Sequence, residues 1–597
     1  DATKAAREGD IIRIVGNGGT DGDLATPADA QPYRIGFDLL GQPLTDGTAL
    51  EIPKAVTVVV DRGAVVKLRR GYIEAGSHRP TEDRSRGVLQ VLGTPRLIDD
   101  AGNVRRDAAG NTLAGTVYFT SLLDDSLGGD SVPSRTTTPG PGDWGGIIFR
   151  RDLDRDAGRL DHEDRGLFAN GVNQADLRYG GGTVLVDGIP QVIAPIQIAD
   201  VRPTVTFNTI RSSADAAMSA NPDSFRETDF QSPVAGLSYP LDYLRSGPDI
   251  HGNRLIDNSV NGLLVRVTTP AGQAQEEMTV TGRWDGTDIV HVITENLRVR
   301  GAPGGPVQVL PAPDVRLVTT LTQGDGTIPA GTVDYRLTFV DAQGRESPAS
   351  DPTPSVLVNA PDPVTGRTQS VQLKNLPSAA DPVNGKLRLY RSVKSGAEYV
   401  LIAELATPLN GPPREYTDTG TSLGGLLQPS LLNLQARLHG QLKIDPGTVV
   451  KLYGAGIDTQ FGSQLLAEGT ADREIIFTSL QDVRYGAGGT FETSQPGGLA
   501  AGNWTGLYVG PMSPGSIDHA VVAYGGGVAE VPGSIAGFNA LEIQQADVRI
   551  ANTVFEYNAD GTGGQAGSSR EGRGENGSAT VFVRGAQPVV VDNVLRG

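Results

Sequence analysis

Four short blocks occur twice in this chain, each time in the same order. Phe-Thr-Ser-Leu-x-Asp stands at Phe119 to Asp124 and again at Phe477 to Asp482. A tryptophan block stands at Gly142-Asp143-Trp144 and at Gly502-Asn503-Trp504. Ala-x-x-x-Tyr-Gly-Gly-Gly runs from Ala175 to Gly182 and from Ala520 to Gly527. Ahead of these, Asp61-x-Gly63-x-Val65-Val66-Lys67-Leu68 returns at Asp445-x-Gly447-x-Val449-Val450-Lys451-Leu452. The separations, in chain order, are 384, 358, 360 and 345 residues, so loop lengths differ while the order of the scaffold is kept. A chain written this way folds as a repeat, each unit burying its apolar face against the next.

A finer repeat says what kind of unit it is. Pro203-x-Val205-x-Phe207-Asn208-x-Ile210 resembles Pro588-x-Val590-x-Asp592-Asn593-x-Leu595, with related forms at Ile550-x-Asn552-x-Val554 and Leu255-Ile256-Asp257-Asn258. Apolar and polar residues alternate in these runs, which turns one face inward. Asn and Gly punctuate them and tolerate the positive φ of a tight corner. Short strands with sharp corners in a nested repeat predict an all-β parallel β-helix, in which each strand pairs with its counterpart one turn later. Corner asparagines would then stack as a ladder. At about 25 residues per turn and ~4.8 Å between turns, roughly 450 residues predict a rod of about 80–100 Å, shorter if loops absorb residues.

Composition narrows the partners. The net charge of −18 argues against nucleic acid, which would want a basic face. No apolar run is long enough to span a bilayer, so no membrane insertion is expected. There is no cysteine, which a long continuous core does not need. The chain begins at Asp1 and carries no visible signal peptide, and is expected to be a processed or excised piece of something longer.

Between the two copies the pattern changes. From 311 to 429, Tyr335-Leu337-Phe339, Val371-Leu373, Leu387-Leu389 and Val400-Ile402 alternate like sandwich strands, with Pro and Gly clusters between them. The expected organisation is therefore a first β-helical segment (1–310), a β-sandwich (311–429) and a second β-helical segment (430–597). We expect the two helical segments to form one continuous rod with the sandwich inserted. Tyr335-Arg336-Leu337-Thr338-Phe339-Val340-Asp341 with Glu346-Ser347, and Leu389-Tyr390-Arg391-Ser392 with Tyr416 to Thr419, resemble a fibronectin type III-like (immunoglobulin-like) module of bacterial surface proteins. The helical parts resemble giant extracellular right-handed parallel β-helix repeat proteins of planctomycete-type bacteria. The four repeated blocks, Ser213 to Pro222 and Asp288-Ile289-Val290-His291 carry that resemblance. It implies a secreted or cell-surface, elongated and multi-modular protein, and it implies no reaction.

Candidate chemistry is sparse. β-Helices host pectin-cleaving enzymes, which need paired carboxylates beside Gly-His-Gly and Arg-x-Lys motifs. Asp124-Asp125 is a carboxylate pair, but those motifs are missing nearby, and Val483 replaces Asp125 in the second copy. Asp124 and Asp482 are expected to hold a turn. Six scattered histidines make no zinc pattern. No catalytic residue is assigned. The strongest metal signal is Asp152-x-Asp154-x-Asp156 with Glu163 as the twelfth residue, the carboxylate spacing of a calcium loop. Ala157 stands where such loops need Gly, and Arg151, Arg155, Arg159 and Arg165 offset the charge. Calcium is the ion that spacing fits. Asp285, Asp288 and Glu295 near His291 form a second acidic patch, expected to lie on different faces of a strand. Trp144 and Trp504 read as corner residues, whereas Trp284, outside the repeated block, is the candidate for an exposed aromatic that stacks on a sugar.

The expected function is that of a non-enzymatic extracellular structural protein, a subunit or segment of a cell-surface fibre, filament or stalk. Its partners would be copies of itself or neighbouring segments of the same long chain. The alternative is an adhesin that binds a polysaccharide or a surface. A polysaccharide lyase or hydrolase is the third reading.

Overall fold

The computed structural model describes residues 5–37, 42–43, 49–77, 82–133, 136–151, 162–163, 166–186, 188–227, 245–267, 276–301, 307–308, 313, 315–340, 346–347, 349–377, 385–393, 398–406, 414–425, 427, 434–435, 440–486, 498–531, 534–561, 570 and 573–597. It divides into two compact units. One joins Asp1–Pro303 with Leu438–Gly597, and the other is Gly304–Arg437.

The first unit is a coil of short strands in parallel sheets, an all-β arrangement of the β-helix kind. Each turn lays down a leading, a middle and a trailing strand. Thr57–Asp61, Val65–Leu68 and Tyr72–Ala75 make one such turn. The leading strand pairs in parallel with Val88–Leu92 of the next turn, Thr57 opposite Val88 and Val60 opposite Val91. Alternation sets the faces: Val58 and Val60 are buried while Thr57, Val59 and Asp61 are partly exposed. The inward residues of all turns merge into one core that runs from Ile52 to Phe555.

One sheet passes through the whole unit. Among the described residues it holds twelve parallel strands, from Ala49–Glu51 to Val594–Arg596. The Phe-Thr-Ser blocks lie on middle strands in both copies, Val117–Ser121 and Ile475–Ser479. Both tryptophan blocks lead into trailing strands, Ile147–Arg150 and Leu507–Val509. Yet the long sheet supplies the trailing strand in the first copy and the middle strand in the second. Among the described residues only Thr281–Trp284 separates its consecutive members Val260–Val265 and His291–Ile293, where at least two strands intervene elsewhere. The second copy is thus turned by one face about the axis. The first copy's other two sheets end at Asp249–His251 and Arg254–Ile256, and new ones begin at Thr281–Trp284 and Leu297–Arg300.

The coil continues directly across the insertion. Thr281 pairs with Gln441, His291 with Val450 and Leu297 with Ile457. The Gly440 N–H donates to the Arg300 carbonyl at 2.8 Å, so the chain leaves and re-enters at adjacent points. At ~4.8 Å per step, twelve stacked strands rise about 53 Å, well short of 80–100 Å. Loops account for the difference. The tightest turn takes 22 residues, Ile196 to Met218, whereas Gln90 to Gly171 takes 81.

Asparagines do cross-brace successive turns. Asn208 Oδ1 accepts the Ala175 N–H at 2.9 Å, its Nδ2 donates to the Val172 carbonyl at 2.8 Å, and Asn253 Oδ1 in turn accepts from Asn208 Nδ2 at 3.0 Å. Asn258, Asn558 and Asn593 bond to the preceding turn in the same way. The positive φ, however, sits one residue earlier than expected, on Phe207 (55°), Asp257 (52°), Tyr557 (53°) and Asp592 (53°), with Asn552 (48°) the exception. The left-handed residue reverses the chain, so the asparagine after it can point its amide back along the axis.

The second unit is antiparallel. Thr319–Gly326, Thr368–Leu376 and Arg414–Asp418 form one sheet, and Tyr335–Val340, Lys386–Val393 and Glu398–Ala406 another. Val318, Tyr335, Leu337, Val371, Leu373, Leu387 and Leu389 share one core. Asp418 is buried there, bonded by the Tyr335 hydroxyl at 3.1 Å and by Arg391 at 2.7 Å. The unit is wider than 311–429 and includes a short antiparallel pair, Val307–Gln308 with Leu434–Gln435.

Candidate functional site

The repeated polar residues turn out to bond one another. Thr120 and Thr478 each donate a hydroxyl to the aspartate four residues on, Asp124 and Asp482, at 2.6 Å. The other oxygen of each aspartate accepts the backbone N–H two residues later, from Ser126 and Arg484. Both carboxylates thus hold a turn, as their sequence context suggests. The next residue of each block reaches the tryptophan loop: Ser121 donates to Asp143 at 2.6 Å and Ser479 to Asn503 at 3.0 Å. Both tryptophans are fully buried and donate Nε1–H to the carbonyl just before the repeated tyrosine, Arg178 or Ala523, at 2.7 Å. Gly182 and Gly527 bond the Trp144 and Trp504 carbonyls, and a Cβ on either would strike the backbone of Gly142 or Gly502. The repeated blocks therefore encode one interlocked corner, built twice.

The repeated lysines are the anomaly. Lys67 and Lys451 point away from the core and yet are fully buried, and burial pushes each amine down to about 8. Lys67 Nζ donates to the Gly129 carbonyl at 2.7 Å and to Ser131 Oγ at 2.9 Å. Among the described residues Lys451 Nζ has no hydrogen-bond partner. Two outward carboxylates, also equivalent in the repeat, are covered by arginines. Glu74 binds Arg84 at 3.0 Å and Arg150 at 2.6 Å, and Asp458 binds Arg573. Sequence reasoning missed these carboxylates, although Glu74 and Asp458 both follow the repeated lysine by seven residues.

Trp284 corrects an expectation. It is fully buried, stacked on His291 with centroids 4.9 Å apart, and Phe225 lies against it at 5.7 Å. It fills the core where one copy hands over to the next, which is why it falls outside the repeat. No ring face is left at the surface for a sugar. His291 is buried with it, and burial alone lowers its pKa to about 3.

Of the calcium loop, Asp152, Asp154 and Asp156 lie outside the described residues. Glu163 is described, and its carboxylate accepts the Arg202 N–H at 2.6 Å and Arg202 Nε at 3.0 Å. It borders a cavity of about 40 Å³ whose other charged or ionisable lining groups are Arg86, Arg150 and His162, a setting that disfavours a cation. Among the described residues no group of three or more acidic or histidine side chains is disposed to hold a metal.

The last turn, ending in Val589–Val591 and Val594–Arg596, exposes Val590 (55%) and Leu595 (59%) beside strand edges with no partner among the described residues. No family model, curated protein or solved structure matches the chain.

Proposed function

We propose that this chain is a non-enzymatic structural protein, a segment or subunit of an extracellular or cell-surface fibre, filament or stalk. The twelve-strand sheet carries the reading. It runs through two repeat copies and past a large insertion without a break, and the residues held constant between the copies are used in building corners. Such a coil gains stability turn by turn, and its mechanical length is set by the number of turns. The free edges and apolar side chains of the last turn suit a further parallel turn, from a neighbouring segment of the same long chain or from another copy. In this reading the coil is right-handed and belongs with the giant β-helix repeat proteins that its blocks resemble, and the antiparallel unit is a fibronectin type III-like spacer. Calcium in the 152–163 loop would require Glu163 to leave Arg202.

Electron microscopy of the untagged protein tests the assignment. Continuous fibres with a regular axial repeat, disrupted by Val590→Lys with Leu595→Lys, are expected. Separate particles of uniform length at all concentrations would remove self-assembly for this chain. Polysaccharide binding by such particles would make it an adhesin instead.

A further inference from the structure

In five turns the residue that follows the middle strand takes the corner with a positive φ: Tyr179 (61°), Ser212 (56°), Asp257 (52°), Tyr524 (62°) and Tyr557 (53°). A bulky side chain is costly in that conformation, and the first copy follows Tyr179 with serine and aspartate. The second copy places tyrosine at two corners in succession. Ala523 pairs with Glu556, and the Tyr524 N–H donates to the Glu556 carbonyl at 3.3 Å, so the two tyrosines stand one turn apart. Their rings stack with centroids 5.4 Å apart and 15° between planes. Among the described residues no other two tyrosines stack. Arg484 pins the pair. Its guanidinium lies 5.3 Å from the Tyr524 centroid and 5.4 Å from that of Tyr557, and is held by Asp482 at 2.9 Å and Glu556 at 2.5 Å. Tyr557 is 46% exposed and Tyr524 partly so. Among the described residues neither hydroxyl has a hydrogen-bond partner.

Oxidative coupling of phenols needs two phenoxyl radicals within reach of each other, and this stack supplies both from one molecule. We propose that Tyr524 and Tyr557 are a cross-linking site, joined as dityrosine by a peroxide-dependent haem peroxidase, and that the bond staples successive turns of the coil. Each phenol gives up one electron and one proton. Hydrogen peroxide takes both pairs and leaves as two waters. The two radicals then form one carbon–carbon bond between positions ortho to their oxygens. Each of those carbons passes its proton to its own oxygen, which restores the ring. The joined residues are 33 apart in the chain, so the bond closes one full turn and restricts the unfolded chain as a disulfide would. This chain has no cysteine to do the same. The first copy is the built-in control. Arg178 pairs with Arg211, which puts Ser212 where a second ring would be needed beside Tyr179.

The test uses the full chain, dilute enough to stay monomeric. It is treated with hydrogen peroxide and a haem peroxidase, and separately with a photo-excited ruthenium complex and persulfate, which needs no enzyme to dock. A species of monomer mass less two hydrogens, with dityrosine fluorescence, is expected. Its proteolytic digest should hold one linked peptide pair carrying Tyr524 and Tyr557. Tyr524→Phe and Tyr557→Phe each keep both stacked rings and lose one hydroxyl, so each should abolish the linked pair. Tyr179→Phe should leave its yield unchanged. The linked monomer should unfold at a higher urea concentration than Tyr557→Phe treated in the same way. No linked pair with either oxidant, or the same dityrosine yield in Tyr557→Phe, overturns the site. A linked pair without a shift in the urea midpoint overturns the staple.

Discussion

Acidification should weaken the junction between the two copies, through His291. The imidazole is buried, and its Nδ1 has no hydrogen-bond partner among the described residues. Leu263 and Val450 flank it in the long sheet, and Trp284 covers its face. Burial holds its pKa near 3 in the folded chain, against 6.5 for a free side chain. The folded state therefore binds fewer protons than the unfolded state between these values. The stability this group contributes is complete above about pH 6.5 and is lost as pH falls toward 3. Each pH unit in that window is worth about 1.4 kcal/mol, so the loss by pH 4.5 is on the order of 3 kcal/mol. His291→Leu removes the titration while keeping an apolar filler. It also loses the stack on Trp284, a fixed cost that pH does not change. The three tryptophans all lie in the coil unit, so urea unfolding followed by their fluorescence reports that unit alone. Carboxylates titrate in the same range, but they do so in both proteins and cancel in the difference. Between pH 7.5 and 4.5 the stability of wild type relative to the variant should fall by about 3 kcal/mol. A difference constant to within about 0.5 kcal/mol would refute the claim that His291 is neutral because it is sealed in the core.

The twin lysines should respond oppositely to removal of the amine. Lys451→Met relieves a buried amine that burial has pushed down to about 8 and that has no hydrogen-bond partner among the described residues, and should stabilise the coil by up to about 3 kcal/mol at pH 7. Lys67→Met also loses two hydrogen bonds and should gain little or be destabilised, as thermal melts of both variants would show. Asn208→Ala strands the Ala175 N–H and the Val172 carbonyl and should cost about 2–4 kcal/mol in urea unfolding, whereas Asn593→Ala, near the last turn and less buried, should cost less. Calcium, if the 152–163 loop takes it through Glu163, competes with Arg202, so calorimetric affinity should rise in Arg202→Ala. An affinity unchanged by that substitution would take Glu163 out of the ligand set.

Alternating apolar residues and repeated corner motifs were enough to read parallel strands and a nested repeat from the chain. These are local signals, because a strand's inward face is written in every second residue and a corner in two or three consecutive ones. The corner roles of Trp144, Trp504, Asp124 and Asp482 were legible for the same reason, being written twice. What escaped was whatever depends on how distant turns are aligned. The rotation of the second copy by one face leaves no mark in the repeat itself, since both copies keep leading, middle and trailing strands in order. Trp284 looked like a surface residue because it breaks the repeat. It is buried because it sits in the core at the handover between copies, stacked on His291. Arg570 and Arg573 meet Glu542 and Asp458 across separations of 28 and 115 residues, and nothing local announces such pairs. Sequence alone determined the coil and its corners, through side-chain period and turn chemistry. Tertiary structure decided the rotation, the burial of Trp284 and His291, and these arginine–carboxylate pairs, because each depends on which turn comes to lie beside which.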